Sequence, residues 1–300
     1  VNIATPGMAG GQALARRDLH RLGRALGVES LQGTRAMFAP LQAPLDGAIR
    51  VDPDQAYGVH PRQCLDLFMP QQAPMSEAYP VLVFVHGGGF SSGDRRVEGT
   101  PFFQNVGLWA ARNGWLGITM SYRLAPEFKW PCGADDVALA VQWIRRNIAS
   151  RGGNPERIVL MGHSAGAAHV ASFVARSLDR RHDGVRAALL LSGLYAPSTM
   201  PPAPWLAGYY GNSPGAEHST VAALATAAIP LTLSVAEFDP PEFVDQCALL
   251  DSALRGAGQG PAEILRLQGH NHYSSVLHFN AEDSPLTVHL RRLAGLSANS

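Results

Sequence analysis

The sequence predicts an α/β fold, a mostly parallel central sheet with helices on both faces. Three observations predict it. From residue 79 onward, short apolar runs alternate with amphipathic stretches, the rhythm of a sheet covered on both sides. The run Tyr79-Pro80-Val81-Leu82-Val83-Phe84-Val85 is almost continuously apolar, as doubly buried strands are. Finally, Ile158-Val159-Leu160-Met161 passes into Gly162-His163-Ser164-Ala165-Gly166 and then into small residues. That order reads as a buried strand, a tight turn and the start of a helix.

The bulk numbers agree. Three hundred residues suffice for one large α/β domain or two smaller ones, and 46% are hydrophobic. Lys+Arg and Asp+Glu are both 24, so nothing draws the chain toward nucleic acid or an anionic membrane. No apolar run approaches the roughly 20 residues of a membrane span. Cys64, Cys132 and Cys247 are scattered and odd in number, which suits neither a disulfide framework nor a metal site. Residues 1–30 lack the basic-then-apolar order of a signal peptide. The expected setting is therefore cytoplasmic, with reduced thiols.

Taken in order, residues 10–26 place Leu14, Leu19, Leu22 and Leu26 on one side of a helix, and Gly27 is its expected stop. A weaker helical stretch follows, ended by Pro40 and Pro44. Residues 48–51 and 63–69 flank a turn containing Pro53 and Gly58 and are expected to pair antiparallel. The strand over 79–85 ends in His86-Gly87-Gly88-Gly89-Phe90, whose glycines let backbone N–H groups approach a ligand. A helix within 101–113, a strand over 115–122, a loop at 123–126 and a long helix near 134–149 lead to the Ser164 turn. A strand over 185–191 follows. Residues 192–229 break the rhythm with Pro197, Pro201, Pro202 and Pro204 among Trp205, Tyr209 and Tyr210, and read as an insertion. The alternation resumes with a strand at 230–236, a helix at 242–256, a strand at 262–268 and a helix at 285–296. The expected domains are a catalytic domain over 46–300 and a small cap, built from the helical segment 1–45 and the insertion.

The chemistry follows from the turn. A serine between two glycines at a strand–helix junction stands on a strained backbone with its hydroxyl exposed, ahead of a helix N-terminus that favours negative charge. Serine is a weak nucleophile without an adjacent base, itself oriented by a third group. Downstream, Asp239 follows the 230–236 strand in a turn and is the expected acid, with Glu237 in reserve; Asp245 falls within the next helix. His272 is the favoured base, with His270 the alternative, in the loop after the last strand. The N–H groups of Gly88, Gly89 and Ala165 are the expected oxyanion donors. Phe90, Trp205, Tyr209 and Tyr273 are expected to contact substrate, with Tyr210 beside them. His20 and His289 lie on helix faces, and His163 fills the variable position before the serine. No metal or cofactor is needed, and the glycines lack the Gly-x-Gly-x-x-Gly spacing of a dinucleotide site.

Together these residues resemble the α/β-hydrolase superfamily, and within it the hormone-sensitive-lipase-like esterases and the related small carboxylesterase–arylformamidase group. The resemblance runs from Gln63 to the end. It rests on His86-Gly87-Gly88-Gly89-Phe90, Tyr122-Arg123-Leu124-Ala125-Pro126-Glu127, Gly162-His163-Ser164-Ala165-Gly166 and the Asp239 and His272 loops. It implies oxyanion roles for Gly88, Gly89 and Ala165, base catalysis by His272, and structural roles for the Tyr-Arg-Leu-Ala-Pro loop and Asp136. His163 stands where the hormone-sensitive-lipase branch commonly has an acid, and the stretch from Ser164 to Asp239 is short. Both lean toward the small-cap members. The implied activity is a serine carboxylic-ester hydrolase for short- to medium-chain acyl esters, with aryl formamides as the alternative substrate. A hydrolase-fold binding protein without catalysis is the rival from another class. The expected partner is a small-molecule ester, and oligomeric state is left open.

Overall fold

The computed structural model describes residues 18–72, 77–176, 184–260, 262–281 and 285–296. Eight strands form one sheet: β1 (Ile49–Ala56), β2 (Cys64–Pro70), β3 (Tyr79–Val85), β4 (Leu116–Met120), β5 (Gly153–His163), β6 (Val185–Leu191), β7 (Leu231–Phe238) and β8 (Glu263–Asn271). Their order is β1-β2-β4-β3-β5-β6-β7-β8. β1 and β2, and β2 and β4, pair antiparallel; every later pair is parallel. The helices in chain order are α1 (Val28–Phe38), α2 (Gln104–Arg112), α3 (Cys132–Asn147), α4 (Ala165–Arg176), α5 (Pro204–Tyr210), α6 (Val221–Leu224), α7 (Pro241–Gly256), α8 (Ser274–Leu277) and α9 (Pro285–Leu296).

The two-residue period of a strand explains why the central strands are apolar throughout. Val81, Val83 and Val85 of β3, with Ile158 and Leu160 of β5, face one core together with Val137, Val141 and Ile144 of α3 and Val170 and Val174 of α4. Leu82, Phe84, Val159 and Met161 face the opposite core, with Val106 and Trp109 of α2 and Leu286 and Leu290 of α9. Each residue of the run therefore reaches a core whichever way it points.

Two expectations change. The N-terminal helix falls partly outside the described residues; the described part is helical over 18–22 and stops at Gly23 (φ 63°), not at Gly27. Leu19 is buried whereas Leu26 is exposed, so the helix ends once its apolar face is used. Pro53 lies within β1 rather than in a turn, because the strand absorbs it in an irregularity between Asp52 and Gln55, with Asp54 at φ 59°. Residues 192–229 leave the sheet as expected and fold into α5, α6 and short turns. No helix among the described residues is long and apolar enough to cross a membrane.

Candidate active site

Parallel strands bring their carboxyl ends to one edge of the sheet, where loops converge. β3 and β5 run in register, with Val85 opposite Gly162. The glycine loop after β3 therefore meets the turn after β5. Ser164 sits on that turn at φ 55°, a left-handed conformation that costs a non-glycine residue about 1–3 kcal/mol. The turn is enforced by close approach. A Cβ on Gly162 would lie 2.5 Å from the Gly166 carbonyl oxygen, and one on Gly166 would lie 2.1 Å from that of Val85. The Ser164 N–H donates to the Leu191 carbonyl at 2.9 Å, and α4 begins at Ala165, whose N–H is one of the unpaired donors of a helix start.

The glycine loop folds over this turn. A Cβ on Gly87 would lie 3.2 Å from Ser164 Cβ, while Gly88 and Gly89 have φ of 135° and 57°. Polar contacts hold the loop from behind. The Arg62 guanidinium donates to the carbonyls of Tyr122 and Gly93 at 2.7 Å. His86 is buried, stacked 4.3 Å from Tyr122, and its Nδ1 is 2.7 Å from the Gly87 carbonyl. Burial pushes its pKa down to about 4, so the ring is neutral and donates through Nδ1. Asp136, fully buried, binds the Arg123 guanidinium, the Arg123 N–H and Gln63 Nε2.

Asp239 and His272 meet at the far side. His272 Nδ1 is 2.7 Å from Asp239 Oδ1, and both side chains are buried. A carboxylate accepts, so Nδ1 donates and Nε2 is left as the basic nitrogen. Asp239 Oδ2 accepts from the Ser192 hydroxyl and the Ala236 N–H, each at 2.7 Å. Burial alone would raise the Asp239 pKa; the bond from His272, its charge, Ser192 and Ala236 outweigh burial and hold it below the usual carboxylate value. The base loop is tied to the serine turn by His163, whose Nε2 lies 2.9 Å from the His272 carbonyl oxygen, so this nitrogen donates. Burial, then repulsion from His272, pushes the His163 pKa down to about 3.

The reserve candidates lie elsewhere. β7 and β8 extend further than the sequence suggests, so Glu237 and His270 belong to strands rather than loops. Glu237 accepts from the Gly269 N–H at 2.6 Å, and His270 Nε2 is 3.0 Å from His278 Nδ1.

Of the expected substrate contacts, Phe90 stacks on Tyr209 at 4.3 Å and packs against Trp205 and Tyr210. This cluster includes Ala165, Ala168, Leu194, Leu206 and Phe243, so the 192–229 segment seats its aromatics directly on the serine turn. Trp205 covers the glycine loop, since a Cβ on Gly89 would meet its Cβ at 3.3 Å. Tyr209 is buried, and its hydroxyl accepts from the Gly133 N–H at 3.2 Å. Tyr273 packs apart from that cluster, its ring edge-on to His272 at 5.6 Å.

Comparison with known proteins agrees with this fold. The esterase B structure from Lactobacillus rhamnosis superposes with a TM-score of 0.73 at 18% identity, over 95% of this chain and 97% of that one. The hyperthermophilic esterase from the archaeon Pyrobaculum calidifontis gives 0.70 at 19% identity, over 99% and 100%. The carboxylesterase family model matches residues 63–207. The chain therefore has the α/β-hydrolase fold. Sequence relatives include esterase LipC of Mycobacterium tuberculosis, 36% identical over 110 residues, and lipase 2 of a Moraxella species, 39% identical over 101 residues. These matches cover 37% and 33% of the chain but only 26% and 22% of the relatives' lengths.

Within this fold, sequence reasoning missed several supports of the site. Ser192 follows a strand without any motif, and at φ 46° it aims its hydroxyl at Asp239. Arg24 donates to the Asp239 carbonyl. Thr34 of α1 accepts from Asn271 Nδ2 at 2.8 Å. Only for His163, adjacent to the serine, did the sequence carry a signal: its departure from the acid common in the hormone-sensitive-lipase branch.

Proposed function

We propose that the protein is a serine carboxylic-ester hydrolase acting on short- to medium-chain acyl esters. The observation that carries this reading is the buried 2.7 Å pair of His272 and Asp239, tied through His163 to the turn that presents Ser164. In the reaction, Ser164 Oγ attacks the ester carbonyl and its proton passes to His272 Nε2. Asp239 holds the ring and supports the imidazolium. The N–H groups of Ala165, Gly88 and Gly89 receive the oxyanion, each donor contributing about 3–4 kcal/mol to the transition state. His272 then gives its proton to the leaving alcohol, and water cleaves the acyl-enzyme through a second tetrahedral step.

The 192–229 segment and the N-terminal helical residues act as a small cap. Support comes from the aromatics packed on the serine turn and from the contacts of Arg24 and Thr34 with the acid and base loops. Phe90 and Trp205, packed together beside the serine turn, suit short acyl chains. The structurally similar Lactobacillus esterase B has also been solved with a tributyrin phosphonate inhibitor, which agrees. A cytoplasmic setting fits the three free cysteines, of which Cys132 and Cys247 are buried.

The test is kcat/KM across nitrophenyl esters of increasing acyl length, with Ser164→Ala as control. Turnover should peak at short chains and fall by about 10⁴-fold or more in the variant. Turnover unaffected by the substitution would exclude Ser164 as the nucleophile. Failure of Ser164 to react with a fluorophosphonate probe would favour a binding protein.

A further inference from the structure

Two hydrogen-bond donors beside the base loop have no acceptor among the described residues. Arg35, on α1, makes no ion pair or hydrogen bond among the described residues, and its Nε is buried without a partner. The ionisable group that acts on it is Tyr273. The Tyr273 phenol likewise reaches no acceptor, although its ring lies edge-on to His272 at 5.6 Å.

Two contacts fix the segments that carry these residues. Asn271 Nδ2 donates to Thr34 Oγ1 at 2.8 Å, and Phe38 packs on His278 with ring centroids 4.9 Å apart. These bonds lay α1 against the segment carrying His272, placing Arg35 next to Thr34 and Tyr273 next to His272. Desolvating part of a guanidinium with no anion to receive it is unfavourable. Every other arginine named above has an acceptor: Arg24, Arg62 and Arg123 all donate within the protein. Arg35 differs in having no acceptor, and it lies within electrostatic reach of the Tyr273 phenol, which also lacks one. Burial raises the Tyr273 pKa, so the phenol remains a donor. A planar fork and an adjacent O–H match the two oxygens of a carboxylate.

We propose that Arg35 and Tyr273 form a carboxylate subsite, so that the preferred ester carries a negative charge on its leaving alcohol. The alcohol side is assigned because Tyr273 flanks His272, the group that protonates the departing oxygen. This rests on the esterase reading above and adds its substrate class.

The experiment compares the butyryl ester of meta-hydroxybenzoic acid with its uncharged isostere, in which an isopropyl group replaces the carboxylate. Wild-type enzyme should favour the charged ester. Arg35→Met should cut its kcat/KM by about tenfold or more, mainly through KM, and so collapse the charged-to-neutral ratio. Arg35→Lys should restore part of that ratio, because it returns the charge without the fork. A ratio identical in wild type and Arg35→Met would overturn the subsite and leave Arg35 a solvated structural cation. If wild type cleaves neither ester, the esterase reading fails on its own. Calorimetric binding of free meta-hydroxybenzoate then decides the subsite: binding lost in Arg35→Met supports it, and equal or undetectable binding in both proteins overturns it.

Discussion

At the residue scale, His163 and Ser192 show how much of the site is support. His163 joins the serine turn to the base loop by one hydrogen bond to the His272 carbonyl. His163→Phe keeps the ring and removes the donor, leaving the His272 carbonyl with the Ser275 hydroxyl as its remaining hydrogen-bond partner. It should cost about 0.5–1.5 kcal/mol of stability, measured by urea unfolding, and should lower kcat more than it raises KM. Ser192→Ala removes one of the donors that hold the Asp239 pKa down. For a carboxylate with a depressed folded-state pKa, the stability it adds is present above its unfolded pKa and is lost as pH falls through the folded value. Unfolding midpoints across acid pH should show this loss moving to higher pH in Ser192→Ala. The two positions differed in legibility for a physical reason. His163 stands within a local motif, whereas Ser192 reaches Asp239 across 47 residues of sequence, and no local pattern encodes that meeting.

At the element scale, the strands were read well wherever burial on two faces left a continuous apolar run, and less well where polar residues extend them. β8 continues through Gly269-His270-Asn271 to a register that pairs Asn271 with Phe238. The sequence suggested a loop there because glycine, histidine and asparagine have weak strand propensity, but pairing with β7 outweighs it. This extension also separates the two histidines: His270 stays in the strand, and His272 stands just beyond its end. The contrast between core and surface is testable. Leu160 of β5 is fully buried, while Leu249 of α7 is 38% exposed. Leu160→Ala should destabilise by about 2–5 kcal/mol, and Leu249→Ala by about 0.5 kcal/mol or less, by denaturant unfolding.

At the scale of the whole molecule, three histidines, His86, His163 and His169, are buried around the site and form no ion pair among the described residues. Burial is the main cause in each case, and it pushes their pKa values down to about 4, 3 and 3. The unfolded chain therefore binds protons at these positions near the ordinary histidine value of about 6.5 while the folded protein does not. Unfolding becomes easier as pH falls below that value. With three such groups the slope approaches about 4 kcal/mol per pH unit between pH 5.5 and 4.5. Urea midpoints should drop steeply over that range, and a flat profile would contradict the neutral buried rings. The proposed cap and the proposed carboxylate subsite belong to this scale as well, since both need α1, the 192–229 segment and the base loop in one place. By itself the sequence determined the α/β class, the serine turn and the glycine loop, because these depend on period, glycine spacing and apolar runs within a few residues. Only the tertiary structure decided that Asp239 and His272 pair, that Ser192 and His163 hold them, and that Thr34 of α1 meets Asn271. Those contacts join residues far apart in the chain, and it is the packing of helices on a twisted parallel sheet that fixes which loops meet.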